Sequence, residues 1–178
     1  MHFTAPLVLI TAVTGAHAFV IQRDAKPILD VFAKVQTDID GLDSAVKGWT
    51  TDPAPVLDAS NKLVTTIGDG ANAVQGTGDL TLNEAISLLG PVKDLKGHAQ
   101  TLVNDLKGKK DVVQKAGLCD AVSSQVTDIS GKSKSLIDAT VSKVPAAAQK
   151  IAQQQAQGIL DILKDAQTAF SADNCKNA

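Results

Sequence analysis

Few side chains in this sequence have the chemistry that catalysis or metal binding requires. His98 is the only histidine beyond the first 18 residues, which leaves no histidine cluster for zinc and no His-Glu-x-x-His pattern. Asp94 lies one helical turn before His98, and a hydrolase built on this pair would need a serine nucleophile from another part of the chain. We interpret the two as a surface ion pair and keep the hydrolase as an alternative. We predict no catalytic residue, no metal site and no cofactor.

The sequence contains two cysteines, Cys119 and Cys175. In an oxidising compartment a single pair of cysteines most simply forms one disulfide, and bridged cysteines cannot act as nucleophiles. Such a bond would close a loop of about 55 residues, for which chain entropy gives a stabilisation of roughly 4 kcal/mol. The alternative, two unpaired thiols, stays open from the sequence.

The N-terminal segment predicts secretion. The first 18 residues contain no Asp, Glu, Lys or Arg, and the apolar run from Ala5 to Gly15 is too short to span a bilayer. The sequence Ala16-His17-Ala18 places small residues at the two positions that signal peptidase selects. We expect residues 1–18 to be a signal peptide and residues 19–178 to form one mature domain.

Charge and hydropathy exclude two classes of partner. The net charge is −2 and the isoelectric point is near 5.8, so no basic field attracts nucleic acid or anionic lipid headgroups. No later apolar stretch is long enough for a membrane helix, and the polar end from Ser171 lacks the apolar tail of a lipid-anchor signal. We therefore expect a soluble extracellular protein with no nucleic-acid partner and no integral membrane segment.

Apolar residues recur at steps of three and four along most of the chain, which is the period of an amphipathic helix. The third of these stripes starts at a capping box formed by Thr81 and Glu84, and we expect Pro91 to kink that helix without ending it. The sequence therefore predicts an all-α bundle of five long helices with short loops. The five stripes cover residues 28–49, 56–74, 82–106, 112–144 and 148–170.

Two kinds of residue interrupt the stripes and each has two interpretations. A buried hydroxyl or amide needs a hydrogen-bond partner, which is either a nearby backbone carbonyl or a polar group of a ligand. A glycine inside a helix costs up to about 1 kcal/mol, and it indicates either close packing and displaced helix ends or a bundle that can loosen. The polar residues are Ser60, Ser133, Thr140 and Gln155, and the glycines are Gly41, Gly48, Gly68, Gly97, Gly131 and Gly158.

The first helix contains the run Ile28-Leu29-Asp30-Val31-Phe32 followed by Leu42 and Trp49, and a later segment reads Val141-Ser142-Lys143-Val144-Pro145. In this layout, essentially the whole mature chain resembles the fungal hydrophobic surface-binding protein A family, also called the cell-wall galactomannoprotein family. The resemblance implies a secreted five-helix protein that adsorbs to hydrophobic surfaces. Some members of that family have an internal pocket that sequesters fatty acids, and some carry a stalk for attachment to the cell wall.

We predict a secreted, non-enzymatic protein that binds a fatty acid or another apolar ligand inside its bundle. The alternative is a surface-active protein that adsorbs to hydrophobic surfaces or to the fungal cell wall by opening its apolar faces, with any internal ligand incidental. The residues predicted to contact the ligand lie on the inward stripes of the helices: Phe32, Val35, Ile39, Ile86, Leu89, Val126, Ile129, Ser133, Gln155, Ile159 and Ile162.

Overall fold

A computed structural model describes residues 25–178 of the protein, and the predicted signal peptide lies outside these residues. The described residues form five long helices of 20 to 25 residues and two short helices, with no strand among them. The prediction of an all-α bundle is therefore confirmed. The helices are α1 (Ala25–Gly48), α2 (Ala54–Gln75), α3 (Leu82–Ser87), α4 (Leu89–Gly108), α5 (Lys110–Lys115), α6 (Cys119–Lys143) and α7 (Ala146–Ala169).

The long helices run alternately up and down. Contacts between α1 and α4 pair Asp40 with His98 and Lys47 with Asp105, so these two helices run in the same direction. The hydroxyl of Ser60 in α2 donates to Gln125 in α6, and short turns connect α1 to α2 and α6 to α7. The short turns make α1 antiparallel to α2 and α6 antiparallel to α7, whereas the other neighbouring pairs, α1–α4, α2–α6 and α4–α7, run parallel.

The apolar stripes of the long helices meet along the axis of the bundle. Ile28 and Val46 near the two ends of α1 are completely buried, and Leu63 of α2 and Phe170 after α7 are almost so. Burying one such side chain contributes roughly 1.5–3 kcal/mol. No helix between Ala25 and Ala178 combines the length and the apolar character that are needed to cross a bilayer.

The third predicted helix is broken, and the expectation that Pro91 only kinks it is wrong. The capping box at Thr81 is confirmed, since its hydroxyl accepts from the Glu84 N–H and the Glu84 carboxylate accepts from the Thr81 N–H. The helix nevertheless ends at Ser87 and α4 begins at Leu89. Pro91 has no N–H to donate to the carbonyl of Ser87, and its ring crowds that carbonyl.

The fourth predicted helix is also divided, at a glycine. Gly117 has a φ of 70°, the left-handed conformation that glycine adopts at low cost, and it separates α5 from α6. The disulfide between Cys119 and Cys175 is confirmed, and it joins the start of α6 to the segment after α7. The Asn177 side chain strengthens this junction, because its oxygen accepts from the Cys119 N–H at 3.0 Å.

The structure separates the glycines by their surroundings. Gly41, Gly97 and Gly131 lie within helices with open space around them, so close packing does not explain them. At Gly68 and Gly158 the nearest atoms belong to lysine side chains of the neighbouring helices, Lys132 and Lys96. Close packing of α2 against α1 instead explains the glycine at Gly70, because an added Cβ there would lie 2.5 Å from Cγ1 of Val31.

The first prediction compares two glycine substitutions. Gly70→Ala should lower the free energy of unfolding by roughly 1–2 kcal/mol, because overpacking against Val31 outweighs the gain in helix propensity. Gly41→Ala, which meets open space, should raise it by about 0.5–1 kcal/mol. Urea unfolding followed by the fluorescence of Trp49, the single tryptophan, measures both. Equal effects of the two substitutions would contradict the close approach of α1 and α2.

Asp38 is a buried carboxylate between α1 and α2. It accepts hydrogen bonds from Nζ of Lys62 at 2.8 Å and from Oγ1 of Thr66 at 2.6 Å. Burial by itself raises the pKa of Asp38, but the hydrogen bonds from Lys62 and Thr66 and the charge of Lys62 outweigh it. The pKa of the folded protein therefore lies below the ordinary value of 3.8.

The second prediction concerns this carboxylate and pH. Because folding lowers its pKa, ionised Asp38 stabilises the protein above the unfolded pKa, and this contribution is lost as the pH falls through the folded pKa. Asp38→Asn should cost roughly 1.5 kcal/mol at about pH 7, and the difference from wild type should shrink below about pH 4. Asp30→Asn, in an exposed ion pair with Lys26, is the control and should change little. A pH-independent loss in Asp38→Asn would contradict the prediction.

Candidate functional site

The bundle encloses a cavity of about 230 Å³ between α1, α2, α3, α4, α6 and α7. Close-packed protein interiors have few voids larger than a water molecule, so a space of this size is not ordinary packing. Its floor is made by Phe32, Val35 and Ile39 of α1 and by Leu63 and Ile67 of α2. The remaining walls come from α4, α6 and α7, where several alanines leave room between the helices.

The cavity opens to solvent at one end of the bundle. Leu82, Ile86, Leu89 and Ile151 line it and are 48%, 52%, 36% and 49% exposed. They are the exposed large hydrophobic residues of the described chain, and we call these four residues the mouth. Scattered exposed hydrophobics need no explanation, but a group gathered around an opening is typical of a binding site.

The lining of this cavity contains no charged side chain among the described residues, and its polar members are Ser133, Thr140 and Gln155. The Thr140 hydroxyl donates to the carbonyl of Leu136 at 2.8 Å, the common arrangement for a threonine within a helix. For the side chains of Ser133 and Gln155, the described residues supply no hydrogen-bond partner. These two half-buried groups therefore remain available to a ligand.

Ser133 and Gln155 lie on the same level of the bundle. Helices α6 and α7 are antiparallel and joined by a short turn at Val144 and Pro145, and the two residues are equally far from Val144 along the chain. Both belong to the stripe that lines the cavity. Among the described residues that line the cavity, these are the two polar side chains without a hydrogen-bond partner, and we call the pair the polar position. Ser60, the other polar interruption, is satisfied by Gln125 at 2.8 Å.

Most of the residues predicted to contact a ligand line this cavity, with two exceptions. Val126 lines a smaller cavity of about 60 Å³, and Ile162 lies buried in the core outside both. Ile86 and Leu89 were expected in the interior but lie at the mouth, because the break before α4 leaves no further helix to cover α3. The predicted residues that do line the main cavity are Phe32, Val35, Ile39, Ile86, Leu89, Ile129, Ser133, Gln155 and Ile159.

Sequence reasoning missed part of the wall. Leu63 and Ile67 of α2 and Ala99 and Leu102 of α4 line the cavity as well. All four belong to the predicted stripes, so their inward orientation was readable from the sequence. The distance between neighbouring helices decides which inward residues border a void, and a single stripe carries no information on that distance.

His98 does not pair with Asp94 as predicted. Its Nδ1 lies 2.5 Å from Oδ1 of Asp40, and its Nε2 lies 3.1 Å from the amide nitrogen of Gln36, so both partners belong to α1. Packing between helices therefore overrides the spacing along α4. Between Ala25 and Ala178, no three His, Cys, Asp or Glu side chains form a cluster that could hold a metal ion.

The fold and this cavity define an all-α bundle with an apolar interior that opens to solvent. The profile of the hydrophobic surface binding protein A family matches residues 25–142, and the chain belongs to that family. It is 29% identical to cell wall mannoprotein 1 of Aspergillus flavus over 96% of this chain, and 33% identical to cell wall mannoprotein 1 of Aspergillus fumigatus over 93%. The chain spans only 63% and 61% of the length of these two relatives.

Solved structures share the fold. Ligand binding domain 2 of the Penicillium marneffei MP1 protein, complexed with multiple arachidonic acids, superposes with a TM-score of 0.82 at 24% identity, covering 85% of this chain and 99% of that domain. AFMP4P in complex with palmitic acid gives a TM-score of 0.78 at 24% identity, covering 83% of this chain and 100% of the other. At this level of identity, the likeness establishes the architecture.

Proposed function

We propose that this chain is a secreted, non-enzymatic protein that binds fatty acids or similar amphipathic lipids inside its bundle. The observation that carries the proposal is the cavity of about 230 Å³, which has an apolar lining, a single polar position and an apolar mouth. An acyl chain gains about 0.8 kcal/mol for each methylene group that leaves water, so an uncharged lining of Val, Ile, Leu and Ala suits it.

Two solved structures of the same fold support the class of ligand. The MP1 domain binds arachidonic acid and AFMP4P binds palmitic acid, and both ligands combine a long hydrocarbon chain with one carboxylate. The names of the Aspergillus relatives support an extracellular site of action at the cell wall. Removal of residues 1–18 during secretion is part of the proposal, and the N-terminal sequence of the secreted protein tests it.

The polar group of the ligand binds at Ser133 and Gln155. A carboxylate held inside an apolar cavity needs hydrogen-bond donors, and a serine hydroxyl and a glutamine amide both supply them. The other predicted contacts, such as Phe32, Ile39 and Ile159, pack against the hydrocarbon. The small residues Ala148 and Ala152 leave the space that the chain occupies.

A second candidate function is adsorption to hydrophobic surfaces, and the mouth favours it. Leu82, Ile86, Leu89 and Ile151 present one apolar patch to solvent, and the name of the family describes such binding. Adsorption through the mouth needs no empty interior. The two functions therefore depend on different parts of the same site, and one substitution can separate them.

The third prediction uses Ala152, which lines the cavity on α7. Ala152→Phe should fill the space between α7 and α1 and reduce retention of palmitic acid at least tenfold, about 1.4 kcal/mol. Ala33→Phe is the matched control, because it adds the same ring to the exposed face of α1. Native mass spectrometry of protein loaded with palmitic acid measures retention.

Partitioning of both variants onto hydrophobic beads tests the second function in parallel. Ala152→Phe should adsorb like wild type, since the mouth is unchanged. A wild-type protein that retains no fatty acid but adsorbs to the beads more than a hydrophilic control protein would overturn fatty-acid binding and favour adsorption.

The fourth prediction tests the polar position. Ser133→Ala and Gln155→Leu should each weaken the binding of palmitic acid roughly tenfold, because a hydrogen bond to a charged group contributes about 1.5 kcal/mol or more. Thr140→Val is the control, since the Thr140 hydroxyl is already bonded to Leu136 and removing it takes no donor from the ligand. Isothermal titration calorimetry gives the dissociation constants. An equal loss in Thr140→Val would place the carboxylate elsewhere.

A further inference from the structure

The main cavity has a smaller neighbour inside the bundle. The small cavity, of about 60 Å³, lies toward the end that carries the disulfide, between Val46 of α1, Val56 of α2 and Val122 of α6. Both cavities lie between the same long helices, so they are arranged end to end along the bundle axis. What separates them is a set of side chains that borders both spaces.

That set consists of Leu102 and Val103 of α4, Ile129 of α6 and Leu163 of α7, each of which lines both cavities. We propose that these four residues, called the partition below, limit the length of the acyl chain that the interior can enclose. This inference rests on the proposed function and deepens it. Ligands that fit the main cavity bind with the partition closed, and longer chains require its side chains to move.

The partition suits this role because it is built from side chains alone. Leucine and isoleucine exchange between staggered rotamers without a change in the backbone, so the two spaces can merge while the helices keep their positions. The three helices that carry the partition are held together elsewhere: Lys107 of α4 pairs with Asp165 of α7 at 2.9 Å, and the disulfide joins α6 to the segment after α7.

The small cavity is able to receive hydrocarbon. Its polar neighbours are already satisfied, because Ser60 donates to Gln125 at 2.8 Å and Gln125 donates to Asn61 at 3.0 Å. An entering chain would therefore break no hydrogen bond and would leave no polar group unpaired. The rest of the wall is aliphatic, as in the main cavity.

Leu102→Ala tests the partition, and Leu95→Ala is its matched control. Both leucines are buried in α4, but Leu95 lines only the main cavity. Delipidated protein is offered an equimolar mixture of palmitic, stearic, arachidic and behenic acids, and native mass spectrometry records which acids are retained. Each methylene that gains a buried position tightens binding roughly fourfold. The ratio of behenic to palmitic acid should therefore rise roughly fifteenfold in Leu102→Ala for two added methylenes, and far less in Leu95→Ala.

Truncating a buried leucine lowers the free energy of unfolding by about 2–5 kcal/mol, so a second pair of variants with smaller truncations tests the partition in case the leucine variants do not fold. Val103→Ala opens the partition with a smaller change, and Val35→Ala is its control in the main cavity with the same 5% exposure. If the ratio of behenic to palmitic acid shifts equally within each pair, or does not shift in any variant, the role of the partition is contradicted and the proposed function is not. Failure of the wild-type protein to retain any of the acids would contradict the proposed function and the partition together.

Discussion

The burial of five aliphatic stripes around one axis is the constraint on which the rest of the structure depends. Each long helix must hide its stripe from water, and the other four helices provide the cover. The stripes contain Val, Ile, Leu and Ala with few aromatics, so the centre is filled by small side chains. Five helices packed around such side chains leave space along the axis, and Ala148 and Ala152 of α7 enlarge it.

Two local breaks in the backbone decide how this interior meets solvent. At Pro91, the missing N–H and the ring end α3 at Ser87, and the apolar residues Leu82 and Ile86 stay exposed beside the cavity. At Gly117 a left-handed residue turns the chain into α6, next to the disulfide. One end of the bundle is thus open and apolar, and the opposite end is closed by a covalent bond.

The polar residues of the bundle fall into two groups. Ser60 donates to Gln125 near the closed end, and Asp38 accepts from Lys62 and Thr66 between α1 and α2. Facing the main cavity, the side chains of Ser133 and Gln155 meet no partner among the described residues. Polar groups that already have partners stabilise the fold. Ser133 and Gln155 have none among the described residues, so they are the groups that can bind the headgroup of an amphipathic lipid in the proposed function.

The sequence by itself determined the five amphipathic stripes and their inward faces, because a period of three and four is a local signal, and a single Cys pair indicated the disulfide. It also led to the polar position, since Ser133 and Gln155 interrupt apolar stripes. Tertiary structure decided the rest: the partner of His98, the exposure of Ile86 and the placing of Val126 beside the small cavity. These depend on the distances and angles between helices, which follow from the packing of all five stripes together and are encoded in no one of them.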